Sequence, residues 1–204
     1  MLFLTLGLGA FTVMCFGGMV SGITGADGTI PVVQGTAATP SGLNLTVAQT
    51  GDVKIAFAGS QAADLDLLFD NSQLLAANQT TPPGSVVDLG TFNAGTVLTF
   101  NLFNVDTGLI FMTGPASGNP DDVVHAAYAA WTANSAINFN GEFVGMEDLA
   151  NGVSDHDYND LMFVVKNASI TSPTPEPTTW LMMGAGLMLF GFVELNKRRR
   201  NQRQ

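Results

Sequence analysis

Across residues 27–170, short apolar runs rich in Val, Ile, Phe and Thr alternate with clusters of Gly, Asn, Asp and Pro, the pattern of strands separated by turns. Val53, Ile55 and Phe57 alternate with Lys54, Ala56 and Ala58, so a strand here has one bulky apolar face and one small or polar face. The same reading predicts strands over 96–104, 137–144 and 161–166, the last a nearly continuous apolar run suited to a sandwich core. A further strand over 65–70 is bracketed by the turn residues Ala63, Asp64 and Asn71 and by the Pro and Gly of 82–84. The stretch VVHAAYAAW, 123–131, has alanines that permit a helix, but its place among strands favours a strand. No internal repeat of useful period is present. The expectation is one all-β domain over 27–170, a β-sandwich or jelly roll of about eight strands.

The two ends have a different character. Residues 1–20, MLFLTLGLGAFTVMCFGGMV, are apolar and uncharged and give way to SGITGADG, with Thr24 and Ala26 at small-residue positions that signal peptidase accepts. A secretory signal peptide over 1–26, engaged by the Sec translocon and cleaved near Ala26, is expected. Because no Lys or Arg precedes the apolar run, an uncleaved N-terminal anchor is the alternative. At the other end a Pro/Thr linker, 171–179, leads into WLMMGAGLMLFGFV, and ELNKRRRNQRQ closes the chain. About fifteen apolar residues cover roughly 23 Å, and Thr178, Thr179, Trp180 and Leu195 extend them toward a hydrocarbon core of about 30 Å. This predicts a single transmembrane helix over 180–196. Lys197, Arg198, Arg199 and Arg200 in the tail 197–204 then act as the stop-transfer signal and stay cytoplasmic.

Composition narrows the function classes. Charged residues are 12% of the chain, hydrophobics 46%, and glycines number 23, which excludes a coiled coil, a helical bundle and a disordered acidic tail. Formal net charge is −10, but five of the seven basic residues sit in the last eight positions. Between Asp27 and Ile170, two lysines against fifteen Asp and Glu leave a net of −13. Such a surface repels nucleic acid and attracts cations. The one cysteine, Cys15, lies in the N-terminal apolar run, so the domain has no disulfide, thiolate site or cysteine nucleophile.

The acids crowd into one segment, FVGMEDLANGVSDHDYNDLMFVV. Glu147 and Asp148 precede a Gly/Asn turn; Asp155, Asp157, Asn159 and Asp160 follow within six residues, before an apolar strand. Like charges a few ångströms apart oppose one another's ionisation unless something cancels the repulsion. A hard cation does so, and Ca2+, with six to eight oxygen ligands, suits such a loop better than Mg2+. It is not an EF-hand, since Asp160 and Lys166 stand where that loop needs Gly and Glu. The alternative is an Asp/Asn-rich turn whose side chains cap backbone amides. His156 reads as solvated, and with only a distant His125 there is no zinc site. Asp64, Asp66, Asp121 and Asp122 read as turn acids, with ligation from elsewhere in the fold as the alternative.

No enzyme is expected. Ser154, Asp155 and His156 are consecutive and cannot converge as a triad, and no G-x-S-x-G elbow or phosphate loop occurs. Glu142 and Glu147 are the only candidate for a glycosidase pair, and their spacing does not favour it. Tyr128, Trp131 and Tyr158 could serve as sugar platforms, although Trp131 in an Ala-rich stretch reads as core.

Two resemblances add to this. The order Pro175-Glu176-Pro177, a span holding Gly184 and Gly186, and Lys197-Arg198-Arg199-Arg200 resembles the PEP-CTERM sorting signal. That implies recognition by exosortase, transient anchoring in the inner membrane of an exopolysaccharide-producing Gram-negative bacterium, and release to the cell surface or outside. Gly145-Met146-Glu147-Asp148-Leu149 followed by Ser154-Asp155-His156-Asp157-Tyr158-Asn159-Asp160-Leu161 is similar to the signature of domain of unknown function 4114, G-F-E-D-L then D-x-D-Y-N-D. That resemblance implies a secreted protein and a calcium site with Glu147, Asp148, Asp155, Asp157 and Asp160 as ligands, joined by Asn159. The expected role is a calcium-stabilised surface or extracellular-matrix protein of a biofilm, structural or adhesive. A lectin-like module binding extracellular polysaccharide is the alternative, with a glycoside hydrolase less favoured.

Overall fold

The computed structural model describes residues 18–171. Residues 1–17 of the expected leader, Pro175, Glu176 and Pro177, the 180–196 span and the basic residues Lys197 to Arg200 lie outside the described residues. The described chain is all-β, its one helical element being the 3-10 turn Ala116–Gly118. Among these residues no helix is long and apolar enough to cross a membrane.

The ten-residue strand Gly51–Ser60 is the spine of a seven-stranded antiparallel sheet. One edge pairs with Leu161–Lys166, which pairs in turn with Gly141–Met146, then Ala126–Trp131, then Thr39–Pro40. Two strands share its other edge, Val86–Phe92 along most of its length and Gly18–Met19 at Gly59 and Ser60. A four-stranded sheet runs Ile110–Met112, Phe100–Asn104, Asp66–Asp70, Gln73–Ala77. Val97–Leu98, Asn44–Val47 and Ala168–Thr171 form a three-stranded sheet, and Ile23–Thr24, Val32–Val33 and Thr36–Ala37 another.

Period-two alternation gives the large sheet two different faces, and both are buried. Val53, Ile55, Phe57, Tyr128, Val144, Met146, Leu161, Phe163 and Val165 share one core with Leu68, Phe100 and Leu102 of the four-stranded sheet and with Leu45, Val47 and Leu98. Phe100 and Phe163 meet edge to face, ring centroids 5.0 Å apart. The opposite face carries Ala56, Ala58, Ala127 and Ala129 beside Trp131, Phe143, Met162 and Val164, and is covered by Val20, Ile23, Val33 and Ala38. Burial on both faces explains why 161–166 is apolar almost throughout, and the alanines leave room for the short N-terminal strands to approach.

Several strand limits differ from the sequence expectation for identifiable reasons. The 96–104 stretch breaks at Thr99 into Val97–Leu98 and Phe100–Asn104, which belong to different sheets. Leu98, Phe100 and Leu102 all enter the same core, so the alternation runs unbroken across a change of hydrogen-bond partner. Ile137 is buried from a loop whose amides are held by Asn134 Oδ1, and its strand begins only at Gly141. The ambiguous 123–131 stretch forms the strand Ala126–Trp131.

Residues 18–26, assigned by the apolar pattern to the leader, are built into the folded body. Val20 and Ile23 are buried in the second core, and Met19 packs against it. Burying such a side chain stabilises by about 1.5–3 kcal/mol. A chain that begins at Asp27 is therefore expected to melt at least about 5 °C below one that begins at Gly18. Thermal unfolding of the two decides it, and equal midpoints would mean that this segment contributes nothing to the fold.

Candidate metal centre

The site grows out of the pairing of two strands. Gly141–Met146 and Leu161–Lys166 are in register with Met146 opposite Leu161. The residues just beyond, Glu147 and Asp148 on one side and Asn159 and Asp160 on the other, are thereby brought face to face, and the Asp148 N–H donates to Asp160 Oδ2 at 3.0 Å. The intervening loop turns at Gly152 (φ +99°), where Ala150 O accepts from the N–H groups of Val153 and Ser154. Further on, His156 and Tyr158 both sit in the left-handed region at φ 58°. Left-handed backbone is costly for a bulky residue such as Tyr and persists where surroundings hold it. Here the Tyr158 hydroxyl donates to Val124 O at 3.3 Å, and its carbonyl lies against Gly145, where an added Cβ would come within 2.2 Å of it. The glycine that opens the Gly145-Met146-Glu147-Asp148-Leu149 motif is thus the residue that lets the acidic loop close.

Two triads of carboxylates result, each with oxygens within 4.8 Å of one another: Glu147, Asp157 and Asp160, and Asp27, Asp155 and Asp157. Asp157 belongs to both. It is buried, its Oδ1 accepting the Asn159 N–H at 3.0 Å and its Oδ2 the Gly28 N–H at 2.7 Å. An open cavity of about 220 Å³ is lined by Asp27, Asp64, Glu147, Asp148, Asp155 and Asp160 among others. Behind it, Asp148 Oδ2 and Asp64 Oδ2 each accept from Asn104 Nδ2 at 2.9 Å, and Asp66 Oδ2 accepts from Asn78 Nδ2 at 3.2 Å.

This is an unfavourable electrostatic arrangement. Burial, with the Asp148 and Glu147 carboxylates beside it, pushes Asp160 up to about 10, and burial together with Asp148 and Asp64 pushes Asp66 up to about 9. Glu147, Asp148 and Asp157 are raised as well, again by burial first. Among the described residues Lys54 pairs with Asp88, and the His125 ring lies 3.0 Å from Asp121; neither contact involves a residue of the two triads. Glu147, only 1% exposed, keeps Oε2 buried with no hydrogen-bond partner, and Asp66 Oδ1 and Asn159 Oδ1 are in the same condition.

Of the residues singled out from sequence, Glu147, Asp155, Asp157 and Asp160 fall in the triads. Asn159 is buried beside them: its Nδ2 donates to Asp157 Oδ2 and approaches the carbonyls of Ala26 and Thr29 at 3.4 Å, and its Oδ1 has no partner. Asp148 stands beside the triads, its N–H donating to Asp160 Oδ2 and its own Oδ2 accepting from Asn104 Nδ2. Asp64 and Asp66 were expected as turn acids. Asp64 does sit in a bend and also lines the cavity, whereas Asp66 opens the strand Asp66–Asp70 with no exposed surface. Asp121 does act within a turn, accepting from the N–H groups of Val123 and Asn151 while facing His125. Asp27 had no signal in the sequence, because its partners lie about 130 residues away.

The alternative chemistries fare differently. Tyr128 and Trp131 are 2% exposed and Tyr158 6%, so these aromatics are core and present no face to a sugar. Glu142 lies within the strand Gly141–Met146 and Glu147 just past its end; at about 3.3 Å of rise per residue their backbones stand roughly 16 Å apart, a poor match to the roughly 5–9.5 Å between the carboxyls of glycosidase pairs. His156 is exposed, as expected of a solvated residue.

Comparison with known families finds two matches. Residues 92–168 match the domain of unknown function DUF4114, and residues 173–200 match the PEP-CTERM protein-sorting motif. The second implies an exported protein with a C-terminal sorting signal processed by exosortase. No curated protein and no solved structure matches the chain. Asp27, Asp64 and Asp66 lie outside both matched segments.

Gly145→Ala is expected to open the loop by forcing Tyr158 away, at about 1–3 kcal/mol as for other overpacked sites, read as a lower melting temperature with faster amide exchange over 147–160. The raised acids also set a pH dependence. The native state retains protons on Asp66 and Asp160 that the unfolded chain gives up near its ordinary pKa of about 4, so the native state binds more protons between there and about 9–10. Stability in chelator should therefore fall steadily from about pH 5 to pH 9, and a flat profile of unfolding midpoints would contradict the described burial.

Proposed function

We propose that this protein is an exported, calcium-stabilised β-sandwich of the cell surface or extracellular matrix, held briefly at the inner membrane and then released by exosortase, with a structural or adhesive role in an exopolysaccharide matrix. The observation that carries the calcium reading is Glu147 Oε2: a buried, unpartnered carboxylate oxygen on a residue grouped within 4.8 Å with Asp157 and Asp160. An all-oxygen donor set of this kind fits a hard divalent cation, and Glu147, Asp157 and Asp160 would hold it. When bound, the ion supplies the positive charge that the surrounding side chains lack. The residues themselves tie the ends of the two paired strands to the acidic loop, which links ion binding to the folding of that end of the sheet. Sites of the extracellular type bind with dissociation constants of roughly 10^-4 to 10^-3 M, so occupancy would follow export. The role proposed is binding and stabilisation, without catalysis.

One feature favours polysaccharide binding as a second reading. The outer side of the four-stranded sheet holds a groove lined by Phe69, Phe103, Asn71, Asn101, Ile110 and Met112, an apolar surface with amides at hand, as sugar rings require. Retention on immobilised exopolysaccharide that Phe103→Ala abolishes would establish it.

For the calcium reading, thermal unfolding of the full chain in detergent is compared in calcium, magnesium and chelator, beside Glu147→Gln and Asp157→Asn. At about 100 times the dissociation constant, binding adds about 2.7 kcal/mol, so a calcium-selective rise of about 5–10 °C is expected, and each variant should lose it. An unchanged melt at millimolar calcium would sink the proposal.

A further inference from the structure

The two triads point beyond a single ion. We infer that the centre takes two divalent cations with Asp157 common to both, the second held by Asp27 and Asp155, and that this second ion fastens the N-terminal turn onto the acidic loop. The inference rests on the calcium reading above and extends it to a ligand outside the segment that either family match covers.

Geometry supplies the first argument. Asp27, Asp155 and Asp157 bring carboxylate oxygens within 4.8 Å of one another, the same limit as the inner triad, and Asp157 alone is shared. Asp157 Oδ1 accepts one hydrogen bond, from the Asn159 N–H, and so retains a free lone pair. Asp27 and Asp155 line the same cavity as Glu147, so the two triads open onto one space.

Charge supplies the second. The five carboxylates of the triads have no basic partner among the described residues, and a single ion at the inner triad would leave Asp27 and Asp155 with no counter-charge. Two of the buried oxygens without a partner belong to residues of the centre: Glu147 Oε2, on a residue that lines the cavity shared with Asp27 and Asp155, and Asn159 Oδ1, on a buried amide bonded to Asp157. Buried oxygens of this kind are costly to leave without a partner.

The third argument is the way the N-terminal turn is presented. Thr29 Oγ1 accepts the Ala26 N–H at 2.8 Å and donates to Ala26 O at 2.6 Å, closing the turn on itself. The Gly28 N–H reaches Asp157 Oδ2, and Gln61 Nε2 donates to Gly25 O at 3.4 Å. The backbone of the turn is thus docked by hydrogen bonds while its one charged side chain, Asp27, is set against two others of the same sign.

The test is the number of calcium ions bound per full chain in detergent, measured by equilibrium dialysis at millimolar calcium, with amide exchange of residues 18–29 as an independent readout. Two ions in the unaltered protein, one in Asp27→Asn, and calcium-dependent protection of 18–29 that the variant loses would support the inference. One ion in both proteins would overturn it and leave the single-site reading standing. No ion in either would remove both readings. Two ions in both would place the second elsewhere and overturn the assignment to Asp27, and a single ion lost in Asp27→Asn would reduce the two triads to one site.

Discussion

Repulsion among buried carboxylates is the constraint around which one end of this molecule is arranged. Glu147, Asp148, Asp157 and Asp160 are drawn together by the pairing of two strands whose cores are fully apolar, and the stability of those strands offsets the cost of crowding. The sheet cannot relieve the repulsion by slipping, because a shift of one residue would turn Leu161, Phe163 and Val165 out of one core and Met162 and Val164 out of the other. Register is fixed on both faces, so the acids stay where they are.

The two faces divide the labour. The bulky face joins the large sheet to the four-stranded sheet and provides most of the hydrophobic burial. The alanine face accepts a thin covering of short strands from the N-terminal region, and the turn that carries Asp27 joins two of those strands, Ile23–Thr24 and Val32–Val33. A larger residue at Ala56, Ala58 or Ala127 would lift this covering, and with it the turn, away from the acidic loop. Packing on a face remote from any acid therefore sets the position of a ligand candidate.

Much of the fold could be read from the chain. Alternation at Val53, Ile55 and Phe57 and the continuous run at 161–166 announced the central strands, because burial on a fixed face leaves a period in the sequence. Ile137 misled because a loop residue can be buried without a strand, and the 96–104 stretch misled because alternation reports the core a residue enters, not the strand it bonds to. In the site, the crowding of Asp155, Asp157 and Asp160 was legible as local sequence. Asp27 was not, and Asp64 and Asp66 were legible only as an alternative to turn acids, since each meets the cluster only through tertiary contacts spanning many residues. The aromatic residues were legible as candidates, and their burial shows that size and apolarity outweighed any surface role.

The distance along the chain between Asp27 and Asp157 has a consequence for a chain that is synthesised from its N-terminus. Asp27 arrives first and waits for the whole strand order to follow, because its partners lie on the last loop before the final long strand. No intermediate length of chain contains the complete constellation. The acidic end therefore reports completion: it can assemble only after nearly every residue of the domain has arrived, and a chain halted part-way presents scattered acids that remain solvated and inert.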